Sequence, residues 1–195
     1  MPQRSKVRPA QSASLREGME PIVTERLLLR PLSVQDVTAA YVDALHDPEV
    51  LRWTEARHIW WDRDRVIQFV RQSNVEGVSI LFGMFLKDTD RHIGNLRLFN
   101  FHPVHRRAEL SFLIFDKSQW SKGYATEAVR AVTHYAFETL KLHRIHADYY
   151  ALNAGSARVF EKSGYEIEGV FKEHMVVDGS YMDSVRIAKL NHGEV

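Results

Sequence analysis

The amino-acid sequence predicts a single α/β domain, a mixed and largely antiparallel twisted sheet flanked by helices. Three observations carry this expectation. The apolar runs "VSILFGMFLK", "HIGNLRLFNF" and "RRAELSFLIF" have strand length and are separated only by the turn-forming "DTDR" and "HPVH". The stretch "GYATEAVRAVTHYAFETLKL" carries apolar residues at helical spacing. Strand-like and helix-like segments then alternate, the order of one mixed domain.

Residues 1–20, "MPQRSKVRPAQSASLREGME", are polar, basic and poor in large apolar groups, so they are expected to form a flexible basic tail ahead of a domain over residues 21–192. Within the tail, Arg4, Lys6 and Arg8 are the residues that could touch RNA, or simply stay solvated. "TERLLLRPL" predicts a first strand ending at Pro31, and Ser33, with Gln35 and Asp36 behind it, caps a helix through about Leu45. Pro48 breaks that helix. "EVLRWTEARHIWWDRD" is irregular or short helix, and "RDRVIQFVRQSN" is helical to about Gly77. The three strands and the long helix follow. Last come the strand "RIHADYYA", the helix "AGSARVFEKS" stopped by Gly164, and the strands "YEIEGVFKEHMVV" and "SYMDSVRIAKL" joined at Asp178-Gly179.

Composition narrows the function classes. A length of 195 residues, 45% hydrophobic and 26% charged, is ordinary for one soluble domain with a real core. A formal net charge of +1 gives no global attraction to nucleic acid or anionic membranes, and neither partner is expected. The absence of cysteine removes disulfides, thiolate metal sites and a cysteine nucleophile. No apolar run has spanning length and no signal-peptide core opens the chain, so a cytoplasmic protein is expected. The ten histidines hold no metal in this reading. His143 and His146 fall on opposite faces of a strand, and the turn pair His102 and His105 lacks a third ligand.

One short stretch carries chemistry by itself. In "QWSKGYATEAV", Lys122-Gly123 sits between an apolar strand and a strong helix. Glycine lets main-chain N–H groups converge, and a helix start offers free N–H groups and a positive dipole end, a place for a phosphate. An ordinary strand-to-helix turn is the plainer reading.

Three segments in this order and spacing, "TERLLLRPL", "WSKGYATEAV" and "NAGSARVFEKSGY", resemble the GNAT superfamily of acyl-CoA-dependent N-acetyltransferases, nearest its branch of ribosomal-protein N-terminal acetyltransferases (RimJ/RimL type). The likeness runs from Thr24 to Leu190. It implies the GNAT fold with splayed central strands, an enzyme moving acetyl from acetyl-CoA to a primary amine, and no metal. In that family the helix-entry turn holds the coenzyme pyrophosphate on its amides. Trp120, Ser121, Lys122, Gly123, Tyr124 and Ala125 occupy that pattern here, Trp120 replacing the usual Gln or Arg, and Thr126 adds a hydroxyl. Leu113, Ile114 and Phe115 lie where the splayed strand pairs with pantetheine amides. Asn153 matches an asparagine that bonds the coenzyme arm, and is equally a helix cap. Phe160 stands at a coenzyme-contacting position where many members carry a proton-donating tyrosine, a role phenylalanine cannot fill. Ser156 falls where this branch has a serine for that task.

Attack on a thioester needs a deprotonated amine, so a carboxylate is sought as base. Glu109, an acid inside an apolar strand, and Asp148, on the next strand, are the two candidates, each also readable as a salt-bridged structural acid. Trp53, Trp60 and Trp61 lie in the acceptor region of the family, as an aromatic wall or as packing. The acceptor stays open between a protein N-terminal amine and an amino-sugar nucleotide, the latter because "LFGMFLKDTDRHIGNLRL" and "ALNAGSARVFEKSGY" also resemble members acting in surface-glycan synthesis. Polyamines rank lower. A catalytically inactive acyl-CoA-binding module is the alternative of a different class. Dimers are frequent in the family, and the sequence leaves the oligomeric state open.

Overall fold

A computed structural model describes residues 19–75 and 77–193. The expected tail lies outside the described residues except for Met19 and Glu20, and Met19 packs on the main core. The chain runs β1 (Ile22–Val23), β2 (Leu27–Pro31), α1 (Ala39–Ala44), α2 (Pro48–Leu51), α3 (Arg63–Ser73), β3 (Ser79–Leu86), β4 (His92–His102) and β5 (Arg107–Ile114). It continues α4 (Tyr124–Glu138), β6 (Arg144–Tyr150), α5 (Ala154–Lys162), β7 (Glu166–Val177) and β8 (Ser180–Leu190). All eight strands form one sheet in the order β1-β2-β3-β4-β5-β6-β8-β7.

Hydrophobic patterning decides how the sheet is covered. Ala108 and Leu110 of β5 alternate with Glu109 and Ser111, and the buried pair joins Ala128, Val129 and Val132 of α4 in the larger core. Phe160 of α5 completes that side. On the opposite face Tyr41, Leu51, Val66 and Val70 bring α1, α2 and α3 onto Leu81, Phe85 and Phe115. β3 is buried along its whole length, as a strand packed on both faces should be.

Two local expectations change. The helix expected from Ser33 to Leu45 is split, because Asp36 takes two bonds from Arg30 and one each from the Ser33 amide and hydroxyl, closing a 3-10 turn at Val34–Asp36. Val37 then leaves helical geometry and Thr38 caps α1 anew through the Tyr41 amide. Pro48 starts α2 rather than only ending what precedes it. At the first helical position its missing N–H is one the helix leaves free anyway, and Asp47 caps the turn.

The feature that positions the site is a gap. Every adjacent strand pair is antiparallel except β5 and β6, which meet in parallel at Arg107↔Arg144, Ala108↔Ile145 and Glu109↔His146. β5 goes on pairing with β4 as far as Gly94↔Ile114, and β6 with β8 as far as Tyr150↔Ser184. Beyond Glu109 and His146 the two strands part, so one edge of Leu110–Ile114 faces no strand among the described residues. Gly94 helps hold β5 to β4 there: a Cβ on it would come within 2.5 Å of the Leu113 carbonyl oxygen.

Candidate active site

The turn between β5 and α4 is built to point amides outward. Asp116 caps a 3-10 turn at Lys117–Gln119 through the Ser118 amide. Trp120 then donates its indole N–H to the Ile114 carbonyl at 2.8 Å, pinning the turn to the end of β5. Ser121 (φ 61°) and Gly123 (φ 85°) are both left-handed. Glycine adopts that conformation freely, whereas serine does so only under constraint. Gly123 is the N-cap of α4 and supplies no side-chain cap. The first helical bond runs from the Glu127 amide to the Gly123 carbonyl. No acceptor among the described residues takes the backbone N–H groups from Ser121 to Thr126. A concave run of free amides at a helix start is an anion cradle.

The first-strand segment locks this cradle from outside. Glu127 accepts from the Thr24 hydroxyl (2.6 Å), the Arg26 amide (2.8 Å) and Arg26 Nε (2.7 Å), while Arg26 Nη1 donates to the Lys122 carbonyl at 2.9 Å. The guanidinium also lies 4.4 Å over the Tyr124 ring. Burial would raise the Glu127 carboxyl, but the bonds from Thr24 and Arg26 hold it below the ordinary range. The sequence does not reveal this lock, since its partners are about half the chain apart.

The remaining coenzyme candidates divide by role. Leu113 packs toward α1–α3, Ile114 toward α4, and Phe115 stacks on Tyr41 at 4.8 Å, so their side chains belong to the cores. Of their backbone groups, the Phe115 N–H is given to the Ile93 carbonyl and the Ile114 carbonyl takes the Trp120 indole, so the Ile114 N–H is the group left for the open edge. Asn153 is the N-cap of α5: its carbonyl oxygen accepts the Ser156 amide at 3.0 Å and its amide donates to Ser156 Oγ at 2.9 Å. The two residues therefore form one unit, in which the Ser156 hydroxyl keeps its own proton to donate elsewhere. Phe160 is 3% exposed and packs against Phe112, Tyr149 and Tyr165, which places its ring inside the core. Lys122 bonds to the Gln119 side chain at 3.2 Å.

The two acids differ in their commitments. Asp148 faces Arg186 across β6 and β8 and accepts two bonds from it, at 2.7 and 2.5 Å. Glu109, at the last rung before β5 and β6 part, has a side chain 26% exposed and no Arg or Lys partner among the described residues. Asn100 donates to its Oε2 at 3.1 Å, and His146 Nε2 lies 3.9 Å from the same oxygen.

The tryptophans separate as well. Trp61 is buried and bonds the Ala56 carbonyl, Trp60 is 69% exposed and stacks on His46, and Trp53 lies 5.9 Å from the Tyr150 ring. Tyr150 anchors a network absent from the sequence reading. Its hydroxyl contacts Glu55 and takes a bond from Arg57 Nη1 at 2.8 Å, and Arg57 also bonds the Val176 carbonyl at 2.9 Å. Burial first, then Glu55, push this hydroxyl above its ordinary range. The segment 54–58 is thereby tied to both β6 and β7. Among the described residues no group of three or more His, Asp or Glu is arranged to hold a metal ion, and no helix is long and apolar enough to cross a membrane.

Comparison with known proteins fits this geometry. Residues 26–166 match the family model of the acetyltransferase (GNAT) domain. The chain is 40% identical over 112 residues to the probable N-acetyltransferase YjcK of Bacillus subtilis, a match spanning 56% of this chain and 61% of that protein. Two Escherichia coli enzymes are also similar. They are spermidine N(1)-acetyltransferase, 28% identical over 84% of this chain and 86% of its own, and [ribosomal protein uS5]-alanine N-acetyltransferase, 31% identical over 61% of each. The crystal structure of a GNAT-family acetyltransferase from Bacillus anthracis superposes with a TM-score of 0.76 at 27% identity, covering 88% of this chain and 98% of that one.

Proposed function

This chain belongs to the GNAT acetyltransferase family, and from that premise we propose that it moves acetyl directly from acetyl-CoA to a primary amine on an acceptor carrying one reactive amine, a protein N-terminus or an amino-sugar nucleotide. As a family member it is an N-acetyltransferase; the donor, the acceptor and the residue roles are our reading. The observation that carries it is the conjunction of two unpaired backbone surfaces: the free amides of Ser121–Thr126 and the open edge of β5 beside them. The amides suit a pyrophosphate, and a strand edge suits the peptide-like pantetheine arm, which can pair as an added strand would. The bound thioester supplies the acyl group.

In this reading Glu109 collects the proton that the acceptor ammonium must lose before it attacks. Glu109 is preferred to Asp148 because the Arg186 fork already occupies both oxygens of Asp148. Asn153 orients Ser156, whose hydroxyl donates toward the departing sulfur.

A single-amine acceptor is supported by the charges around the opening. Asp148, Glu168 and Asp183 are ion-paired with Arg186, Arg144 and Lys172, which neutralises these three carboxylates toward a polycation. Arg97, on β4 beside Ser111, lies over the rings of Phe69 and Phe99, and its buried Nε has no partner. A cation there suits an acceptor with an anionic group near its amine. The test is coenzyme release from acetyl-CoA with N-terminal peptides, nucleotide amino sugars and spermidine offered in parallel. Release with a peptide or sugar at a kcat/KM at least tenfold above spermidine is expected. Preference for spermidine would overturn the acceptor assignment.

A further inference from the structure

At the point where β5 and β6 part, the last paired residues are Glu109 and His146. Their side chains share a face of the sheet, yet their environments are opposite. Glu109 reaches the opening, whereas the His146 side chain is only 6% exposed. His146 Nδ1 is buried with no hydrogen-bond partner among the described residues, an uncommon state for a polar atom in a folded core. The other ring nitrogen points at Glu109 Oε2 from 3.9 Å.

These facts select one tautomer. A buried N–H without an acceptor loses the whole of its solvation, and a bare ring nitrogen is the less costly orphan. The proton therefore belongs on Nε2, facing the carboxylate, and Nδ1 is left with its lone pair. Asn100 donates to the same oxygen of Glu109. Asn100 thus bonds Oε2 while the His146 N–H faces the same oxygen from beyond hydrogen-bond length, and Oε1 takes no bond from either.

We infer that His146 is a positioning residue for the reaction, its Nε2–H dipole facing Glu109 Oε2 and favouring the orientation in which Oε1 meets the acceptor amine. This rests on Glu109 acting as the base. The carboxylate takes one proton from the ammonium at Oε1 while His146 keeps its own, so no covalent bond forms to either residue. The surroundings favour a neutral ring. Burial lowers the readiness of His146 to take a proton, the Glu109 charge opposes that, and Arg186, Arg144 and Arg107 reinforce it. Asp148 lies two residues along β6, paired with Arg186, and Glu168 of β7 is paired with Arg144. Arg97 of β4 acts on Glu109 from the other side.

The experiment compares His146→Gln, His146→Leu and Glu109→Gln, using acetyl-CoA and whichever amine the wild-type protein acetylates. Glutamine can return an N–H near the place of Nε2, and leucine cannot. His146→Leu should lower kcat roughly 3- to 10-fold, as for loss of a weak polar contact, with the KM for acetyl-CoA unchanged. His146→Gln should restore most of the rate. An NMR titration of labelled histidine gives a readout free of activity: in Glu109→Gln the His146 ring should protonate at lower pH than in the wild type. If Glu109→Gln collapses turnover while His146→Leu keeps the wild-type rate, His146 has no such role. If Glu109→Gln itself stays active, the assignment of the base fails first. An unmoved His146 titration in Glu109→Gln would refute the contact directly.

Discussion

Asp148 and Arg186 lie opposite each other on neighbouring strands and are joined by two hydrogen bonds, Nε to Oδ1 at 2.7 Å and Nη2 to Oδ2 at 2.5 Å. A carboxylate gripped on both oxygens is a poor collector of protons. Glu109→Gln should therefore lower turnover by roughly 10²–10⁴-fold with acetyl-CoA affinity nearly unchanged, the range for a lost general base. Asp148→Asn should weaken the fold and leave the rate–pH profile in place. Steady-state kinetics from pH 5 to 9 on both variants separates the two acids, and a reversed pattern would move the base to Asp148.

Gly123 tests the coenzyme cradle. At φ 85° a branched side chain is strained wherever it points, and its Cβ would sit 3.4 Å from Arg26 Nη2. Gly123→Val should weaken acetyl-CoA binding about tenfold or more, at least 1.4 kcal/mol, in calorimetry on protein whose far-UV spectrum stays native. Unchanged affinity would remove the phosphate from this turn.

Direct transfer leaves the protein unlabelled. The chain has no cysteine, and among the described residues no histidine or carboxylate accepts the Ser156 hydroxyl proton as an activating base would. Incubation with radiolabelled acetyl-CoA and no amine, followed by denaturation, should give no protein-bound label. Stoichiometric label on Ser156 would establish an acyl-enzyme instead.

Asp36 sets an acid limit on the fold. Burial would raise its carboxyl, but bonds from Arg30 and Ser33 bring it down to about 2. A carboxyl lowered in the folded state stabilises fully above its unfolded value near 4 and loses that contribution as the pH falls toward 2. Asp36→Asn should cost about 2 kcal/mol at pH 7 and progressively less below pH 4. Urea unfolding of both proteins at pH 7 and pH 3 measures this; an equal difference at the two values would show that the carboxylate charge is not what stabilises.

The strand and helix order was legible because each segment states its own period. Ala108 and Leu110 alternate with Glu109 and Ser111, and α4 keeps its apolar stripe from Ala128 to Phe137. The turn at Gly123 could be found because glycine marks a left-handed position. The left-handed Ser121 could not, since nothing about a serine announces it. Pairings across the sheet were out of reach for a different reason. Asp148 with Arg186 and His146 with Glu109 depend on which strands become neighbours and in what register, and Tyr150 with Arg57 depends on how the segment 54–58 docks on β6. The same limit applies to Ser33: its cap was visible, but not that Arg30 would draw Asp36 into a separate turn.

The hold of Arg26 on Glu127 also bears on the order in which the molecule assembles. The two residues are 101 positions apart, so their contact closes a loop of about half the chain and is entropically among the later ones to form. During synthesis the β5–α4 turn leaves the ribosome long after β2, yet its outer brace is the segment made first. That segment can pair with β3 as soon as Lys87 is made, but the side chain of Arg26 waits for α4. Destabilising β2 should therefore slow the appearance of a binding-competent turn more than it slows formation of α4, so helical signal and ligand affinity would recover at different rates on refolding.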